Sequence, residues 1–428
     1  MRNGRPAAKA LASHAMELPS AVSRPRLLVL NQYYAPRVEA TAHLLTELCE
    51  GLADEWDVTV VTGAAPGQPK GRTHRNGVEV VRTRSTTLGK GRLSRRGADY
   101  ASFVALGVPV AVTQRRPDVV LALTDPPFVG AGARAVARRF GVPYVLVCQD
   151  VFPETARAVG AIDNAVALKG LAKLVEPAFR AADRVVALGE TMRRRLEAKG
   201  VPAGRIHVIP NWTDVRAITP QPQDNDWARA EGLAGRFVAM HFGNLGYAQD
   251  LDTLVRAAAQ LRDLDDLVVA VVGTGSRAGA LRSLARELGA ERVRFVAHQP
   301  RERAALCLAA GSVHVVGLAR GLAGYVVPSR IYGVLAAGRP TIVAAERDSE
   351  TAQLVRRGRC GAVVPPGDPE ALAASIRDAH AGSFPLEDWG RRARELAEAE
   401  ADRTVAVARY RELLRDVAEP HRKALPVA

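Results

Sequence analysis

The chain has 428 residues, of which 47% are hydrophobic, and a formal net charge of +14. This length exceeds what one hydrophobic core usually supports, so two domains are expected. The charge alone does not indicate a nucleic-acid-binding protein, because aromatic residues make up only 5% of the chain and nucleic-acid sites interleave basic with aromatic side chains.

The amino-terminal residues 1–25 are small, polar and basic and lack a continuous apolar run. They are therefore predicted to be a flexible extension rather than a secretion signal. The apolar stretch Tyr100–Thr113 is shorter than the roughly 20 residues needed to span a bilayer. The four cysteines show no CxxC pair and no metal-ligand spacing, which predicts buried, reduced thiols in a cytoplasmic protein.

From residue 26 onward, short apolar runs alternate with helical patterns. The first run, Leu27–Leu30, is followed by a polar loop and a helix predicted over His43–Ala53. Strands buried on both faces and alternating with helices indicate a parallel, doubly wound sheet. This first domain is expected to span residues 26–213. Its further strands are predicted at Asp57–Thr62, Val78–Arg82, Asp118–Leu123, Pro143–Val147, Arg184–Leu188 and Arg205–Pro210.

A second α/β series follows the Pro-containing stretch Pro220–Trp227, and a second domain is expected over residues 214–395. In open α/β sheets, ligands bind in the crevice at the carboxyl ends of the strands. The fold class is therefore predicted to be α/β, with two doubly wound halves. Strands of the second half are predicted at Arg236–Phe242, Leu267–Val272, Val293–Val296, His314–Leu318, Thr341–Ala344 and Gly361–Val364.

The stretch Tyr325–Pro340 carries the most specific pattern. Ser329 begins a predicted helix whose first N–H groups and positive dipole end favour an anion, and Arg330 lies within the first turn. Ordinary helix capping accounts for this Pro-Ser-Arg sequence equally well. Downstream, Glu350 and Thr351 follow a serine, and the Glu350 carboxylate is a candidate to accept hydrogen bonds from a ribose diol.

In order and spacing, this block resembles the donor-binding region of the family 4 retaining glycosyltransferases, especially the branch with colanic-acid and O-antigen fucosyl-type transferases. The shared pattern is Pro-Ser-Lys/Arg, a short helix, Ala-Ala-Gly-Lys/Arg-Pro and then Ser/Thr-Glu. The resemblance covers residues 26–417 and implies the GT-B fold, in which two Rossmann-like domains face a central cleft. It also implies that a terminal helix, here residues 396–420, crosses back to the first domain.

The resemblance implies transfer of a sugar, with retention, from a nucleotide diphosphate sugar to a saccharide on a polyprenyl diphosphate lipid, in cell-surface polysaccharide biosynthesis. A sugar-nucleotide epimerase on the same fold is the alternative, and it would release its product without an acceptor. A basic nucleic-acid-binding protein is the third hypothesis. The histidines lie in separate segments without acidic pairs, so no metal ion or other cofactor is expected.

Two glycine loops follow strands of the second half. Gly243 and Gly246 match the Gly-Asn-Leu-Gly loop that faces the donor phosphates in the family, whereas a tight turn is the alternative. Gly273 and Gly275 form a second turn, for which a simple connection is equally consistent. The expected donor site comprises Gly243, Asn244, Gly246, Gly273, Gly275, Ser329, Arg330, Glu350 and Thr351.

The acceptor site is expected on loops of the first half. Tyrosine offers a flat face for a sugar ring, although loop aromatics also cap cores. Asp150 is the first candidate to orient the acceptor hydroxyl or take its proton, with Glu154 in reserve, and either carboxylate could instead cap a helix. Arg330 completes the expected catalytic set. The acceptor-binding candidates are Gln32, Tyr33, Tyr34, Glu39, Thr41 and Asp125.

Three positions depart from the family pattern. Tyr325 and Gly333 stand where many members have two glutamates, so Glu350 is the expected replacement for the usual ribose carboxylate. Gln149 stands where a histidine is common.

A basic, glycine-containing loop is predicted to contact anionic lipid at the inner face of the plasma membrane, which would make the protein peripheral, and a plain solvated loop is equally consistent. Its basic residues are Arg82, Arg84, Lys90, Arg92, Arg95 and Arg96.

Overall fold

The computed structural model describes residues 24–37, 39–65, 67–88 and 93–423. Residues 1–23 of the predicted extension lie outside this range, as do Lys90 and Arg92 of the predicted basic loop. Two sheets are present, and helices cover both faces of each. This arrangement confirms the predicted α/β architecture of two Rossmann-like domains.

The first sheet has the strand order β3-β4-β2-β1-β5-β6-β7-β8. Its strands are β1 (Arg26–Leu30), β2 (Asp57–Thr62), β3 (Gly71–Arg75), β4 (Val78–Arg82), β5 (Val119–Leu123), β6 (Tyr144–Val147), β7 (Arg184–Ala187) and β8 (Ile206–Val208). Its helices are α1 (Ala40–Leu52), α2 (Leu93–Val112), α3 (Val129–Phe140), α4 (Glu154–Ala158), α5 (Ala165–Ala181) and α6 (Glu190–Ala198).

One strand of this sheet was not predicted. β3 pairs antiparallel with β4 at the sheet edge, and Asn76 and Gly77 form the turn between them with positive φ angles of 45° and 80°. An Asn-Gly dipeptide is the usual sequence signal for such a hairpin turn. The strand lacks an apolar run, because its residues are mostly exposed, and a search for buried runs therefore misses it.

The second sheet is entirely parallel, with the order β11-β10-β9-β12-β13-β14. Its strands are β9 (Phe237–Phe242), β10 (Leu267–Val272), β11 (Val293–Val296), β12 (Val313–Gly317), β13 (Thr341–Ala344) and β14 (Gly361–Val364). The helices from here to the carboxyl end are α7 (Asp226–Ala230), α8 (Leu251–Ala259), α9 (Ala278–Glu287), α10 (Ala304–Ala309), α11 (Arg330–Ala336), α12 (Glu350–Gly358), α13 (Pro369–His380), α14 (Leu386–Glu400) and α15 (Arg403–Lys423).

The last helix belongs to the core of the first domain. Tyr410 and Leu414 of α15 are fully buried in the same cluster as Leu45 of α1 and Trp212. The Trp212 and Tyr410 rings meet edge to face, with their centroids 5.9 Å apart. Where α14 gives way to α15, the amide of Thr213, in the connection after β8, donates to the carbonyl of Ala401. The amide of Val215 donates to Oδ1 of Asp402 at 3.3 Å.

All four cysteines are free and buried, which confirms that part of the prediction. They are Cys49, Cys148, Cys307 and Cys360. None of the helices that the structure describes combines the length and apolarity needed to cross a bilayer.

Candidate functional site

Two glycine loops of the second domain pack backbone to backbone at the carboxyl ends of β9 and β10. Gly243 and Gly273 have φ angles of 136° and 139°, which residues with a Cβ rarely adopt. A Cβ added at Gly273 would lie 1.9 Å from the carbonyl oxygen of Gly243. The amide of Leu245 donates to the carbonyl of Thr274 at 2.9 Å, so the two loops form one unit.

The other predicted donor-loop residues reinforce this unit. A Cβ at Gly275 would lie 2.3 Å from the carbonyl oxygen of Leu245, and one at Gly246 would lie 2.7 Å from the Asn244 side-chain nitrogen. The amide of Gly246 donates to Oε1 of Gln249 at 2.9 Å. Tight packing therefore explains why both positions are glycine, and ligand binding is not needed to explain it.

Arg330 lies beside the first of these loops. A Cβ built on Gly243 would be 3.7 Å from Cζ of Arg330, and Nη1 of Arg330 is 2.7 Å from Nε2 and 3.0 Å from Nδ1 of His241. The structure thus brings together two predicted donor residues, Gly243 and Arg330. His241, a residue of strand β9, is their shared neighbour.

The electrostatics of this pair leave the arginine charged. Burial lowers the pKa of Arg330 to about 10, still far above neutral pH. Burial, and then the charge of Arg330, hold the pKa of His241 well below its usual value, so the imidazole is neutral. Within the described part of the chain, no aspartate or glutamate forms a salt bridge with Arg330. Its charge is therefore not cancelled by a carboxylate.

The start of α11 differs in detail from the prediction. Ser329 has helical dihedral angles (φ −63°, ψ −19°) and its side chain makes no capping hydrogen bond. The amides of Ile331 and Tyr332 donate to the carbonyls of Pro328 and Ser329 at 3.3 and 3.2 Å. Two amides that were expected to face an anion are therefore used within the first turn.

Glu350, the predicted ribose ligand, lies at the boundary between the two domains. Its Oε1 accepts a hydrogen bond of 2.7 Å from the amide of Met192 in α6, and a Cβ on Gly189 would lie 2.1 Å from its Cγ. Burial raises the pKa of Glu350. Its Oε2 and the hydroxyl of the next residue, Thr351, are buried and have no hydrogen-bond partner among the described residues.

Four of the predicted acceptor residues come together in the first domain. Thr41 donates a 2.9 Å hydrogen bond from its hydroxyl to Oδ2 of Asp125. Burial raises the pKa of Tyr33 to about 12, with smaller contributions from the nearby carboxylates of Asp125 and Glu39. The guanidinium of Arg37 lies over the Tyr33 ring, 5.2 Å from its centroid. Arg37 was not predicted, although it lies in the same loop sequence.

The two remaining acceptor candidates are buried beneath this loop. Gln32 is 2% exposed and Tyr34 is fully buried in the hydrophobic core. Arg82 is also buried, 7% exposed, and its guanidinium donates to the carbonyl of Ala35. The prediction that Arg82 belongs to an exposed basic loop is therefore wrong. Its buried side chain instead packs beneath the loop that follows β1 and binds the carbonyl of Ala35 there. Arg84 and Arg95 are exposed.

Asp150 and Glu154 have different surroundings. The hydroxyl of Thr124 accepts from the amide of Asp150 at 3.2 Å, and the next amide, that of Val151, donates to the carbonyl of Tyr325 at 2.8 Å. Asp150 therefore lies where the first domain meets the segment that leads to α11. Glu154 instead forms a 2.5 Å salt bridge with Lys199 inside the first domain.

Family models match both halves of the chain in order. Residues 17–212 match the glycosyl transferase 4-like domain, and residues 236–381 match the glycosyl transferases group 1. The probable glycosyltransferase WbjE of Pseudomonas aeruginosa is 29% identical over 290 residues, covering 67% of this chain and 72% of that protein. The putative colanic acid biosynthesis glycosyl transferase WcaI of Escherichia coli K12 is 26% identical over 375 residues, covering 83% and 92%.

The solved structures that this chain resembles include HepE of Anabaena in complex with UDP and glucose. The TM-score is 0.72 at 19% identity, and the match covers 92% of this chain and 100% of that one. At this identity the likeness shows the shared fold. The two family matches, the two relatives and the facing Rossmann-like domains agree, and the chain belongs to the family 4 glycosyltransferases of GT-B fold.

Proposed function

We propose that the second domain binds a nucleotide diphosphate sugar with its diphosphate beside Arg330 and the Gly243 loop. The observation that carries this proposal is a charged, partly buried guanidinium that meets a neutral imidazole instead of a carboxylate. A guanidinium matches the geometry of phosphate oxygens and stabilises the charge that develops on a leaving diphosphate. The complex of HepE with UDP and glucose supports a donor of this chemical class.

The acceptor is a saccharide held by the first domain near Tyr33, Thr41 and Asp125, with Asp150 orienting the attacking hydroxyl. The name of WcaI supports a role in surface polysaccharide synthesis, with an acceptor carried on a polyprenyl diphosphate lipid at the cytoplasmic face of the membrane. Transfer proceeds with retention and without a metal ion, and Arg330 supplies the positive charge that a cation would otherwise provide.

Thermal unfolding in the presence of a panel of nucleotide sugars tests the donor assignment, because a ligand that binds only the folded state raises its stability. At least one uridine or guanosine diphosphate sugar should raise the midpoint for the wild type. The same ligand should fail to do so for Arg330→Ala, while Arg256→Ala, an exposed arginine of α8, should respond as the wild type does. An equal shift in both variants contradicts the donor site.

Product analysis separates the transferase from the epimerase. With donor alone, the transferase leaves the sugar nucleotide unchanged apart from slow hydrolysis, whereas an epimerase converts it to an isomer. Accumulation of an isomer without an acceptor contradicts the proposed function.

A further inference from the structure

Large apolar side chains are exposed mainly on one domain. Five are exposed in the described part of the chain, and four of them lie in the first domain. Leu106 of α2 is 43% exposed, and Val166 and Leu174 of α5 are 79% and 56% exposed. Leu88, just before α2, is 52% exposed. Scattered single residues of this kind are ordinary, so their arrangement decides whether they form a surface.

On α5 the exposed residues form one stripe. Val166, Gly170, Lys173, Leu174 and Pro177 are all exposed and recur at the three- and four-residue spacing of one helix face. Lys169, one turn before Lys173, is exposed at the edge of the same stripe. The opposite face of the helix buries Val175 and Phe179 in the domain core. Helix α5 therefore buries one apolar face in the core, and its solvent-exposed face mixes apolar with basic side chains.

A second stripe runs along α2. Ala98, Ala101, Ala105, Leu106 and Pro109 are exposed and share one face, while Phe103 and Ala111 are buried on the other. Arg95 is exposed at the amino-terminal end of this stripe. Helix α3 packs between α2 and α5 and exposes Ala131, Ala135, Arg138 and Arg139.

Acidic groups are sparse on this three-helix surface. Among the described residues of α2, α3 and α5, the carboxylates are those of Asp99 and Glu176. Asp99 is buried, and its carboxylate accepts from the amide of Leu88. Glu176 is engaged by Lys199 and Arg180. Asp163, just before α5, is exposed. The surface is thus apolar with a clear excess of positive charge.

The surface adjoins the candidate acceptor site. The side chain of Gln32 donates to the carbonyl of Asp99 in the second turn of α2 at 3.4 Å, and the hydroxyl of Tyr33 is hydrogen-bonded to Tyr100. Anything that binds the exposed faces of α2 and α5 would therefore lie next to the loop that is proposed to bind the acceptor.

We propose that the outer face of α2, α3 and α5 binds the surface of an anionic lipid bilayer. Interfacial helices insert apolar residues at the boundary between headgroups and acyl chains while basic residues contact anionic headgroups. Leu106, Val166 and Leu174 supply the apolar residues, and the basic residues of the same face supply the charge. Charge complementarity favours a membrane over a second copy of this basic chain. The lipid-linked acceptor rests on the proposed function, but the surface itself does not.

Vesicle sedimentation tests the proposal with the full-length protein. The wild type should sediment with phosphatidylcholine vesicles that contain phosphatidylglycerol, less with pure phosphatidylcholine, and less at high salt, because salt screens the attraction. Each basic residue near an anionic surface raises partitioning about five-fold. Lys173→Glu should therefore reduce binding by about five-fold or more, and Leu174→Ser should reduce it several-fold.

Matched variants in the second domain separate this surface from general charge. Arg256→Glu makes the same charge change as Lys173→Glu. Tyr247→Ser removes a side chain that is 57% exposed, about as exposed as that of Leu174 at 56%. Both should bind vesicles as the wild type does. Absence of wild-type binding, equal losses in the control variants, or a solution dimer that Leu174→Ser dissociates would overturn the proposal. Donor-induced thermal shifts, measured on the same variants without vesicles, report the donor site separately.

Discussion

Nη1 of Arg330 lies 2.7 Å from Nε2 of His241, so the cation at the candidate donor site is held by a neutral ring. A neutral partner orients a guanidinium without cancelling its charge, whereas a carboxylate would compete with the phosphate groups for the same hydrogen bonds. The identity of residue 241 therefore affects how strongly Arg330 binds an anion.

His241→Asp should weaken binding of a nucleotide sugar more than His241→Asn does. The new carboxylate would pair with Arg330, and a hydrogen bond to a charged group contributes about 1.5–3 kcal/mol. A loss of about ten-fold or more in affinity, measured by isothermal titration calorimetry, is expected for the aspartate variant. Equal affinities in the two variants would show that Arg330 does not contact the ligand.

Gly273→Ala should destabilise the second domain by more than about 2 kcal/mol, because it combines a clash with the Gly243 carbonyl and an unfavourable positive φ. Gly279→Ala is the matched control, since a Cβ there meets nothing within 4 Å. Its stability should change by less than about 1 kcal/mol. Urea unfolding measures both, and similar losses at the two glycines would contradict the close packing of the loops.

Glu350→Ala distinguishes a ribose ligand from a residue that only joins the domains. If the carboxylate binds the ribose diol, the wild type should prefer the ribonucleotide over its 2′-deoxy analogue by about ten-fold, and the variant should lose this preference. Glu346→Ala is the control, because its carboxylate accepts from Gly321 and Ala323 within the second domain. If Glu350→Ala weakens the binding of both nucleotides equally, Glu350 does not bind the ribose, and its role is the hydrogen bond to Met192 that joins the domains.

Because His314 is buried, we expect the free energy of unfolding to decline in acid. Burial lowers its pKa from 6.5 to about 4, and its ring hydrogen-bonds the carbonyl of Leu308 at 2.8 Å. The unfolded chain therefore takes up this proton at a higher pH than the folded one. The neutral His314 ring therefore contributes to the free energy of unfolding in full above pH 6.5. This contribution is lost as the pH falls toward 4, by an amount on the order of 3 kcal/mol.

Urea unfolding between these pH values checks this prediction. His241, His43 and His207 have pKa values shifted in the same direction, so the wild-type slope contains all four. His314→Gln keeps a donor for the Leu308 carbonyl and removes one titration. A smaller slope is expected in this variant, and an unchanged slope would exclude His314 as a source.

Asp150→Asn should reduce the rate of sugar transfer by about 100-fold or more, the usual range for a positioned acid or base, and should leave donor affinity unchanged. Glu154→Gln should have a much smaller effect, because Glu154 is paired with Lys199. Transfer rates and donor titrations on the two variants check this ordering. Loss of donor binding in Asp150→Asn would indicate a structural role at the domain boundary.

Local sequence patterns were sufficient to locate most of the framework. Buried apolar runs placed β2, β4 and β10 at the residues where the structure has them, because parallel strands covered on both faces need such runs. The edge strand β3 has no such requirement, and only its turn signalled it. The two glycine loops could be proposed from motif position, but their mutual packing joins residues of separate strands.

The contacts that define the candidate site depend on tertiary structure. His241 and Arg330 are 89 residues apart, and neither side chain's local sequence indicates the other. Arg82 ends strand β4, directly before the residues predicted as a basic loop, and the chain folds over it and buries it. The motif around Glu350 predicts a ribose-binding role, whereas its hydrogen bond to Met192 forms only when the two domains have folded against each other.

The return of α15 to the first domain has a consequence for synthesis on the ribosome. Tyr410, Leu413 and Leu414 complete a core whose other members, such as Leu27 and Leu45, are made first. The first domain cannot bury these surfaces until nearly the whole chain has emerged, so the acceptor-binding half is expected to finish folding last. Removal of α15 should accordingly expose the first domain to proteolysis while the second domain, made later, remains protected.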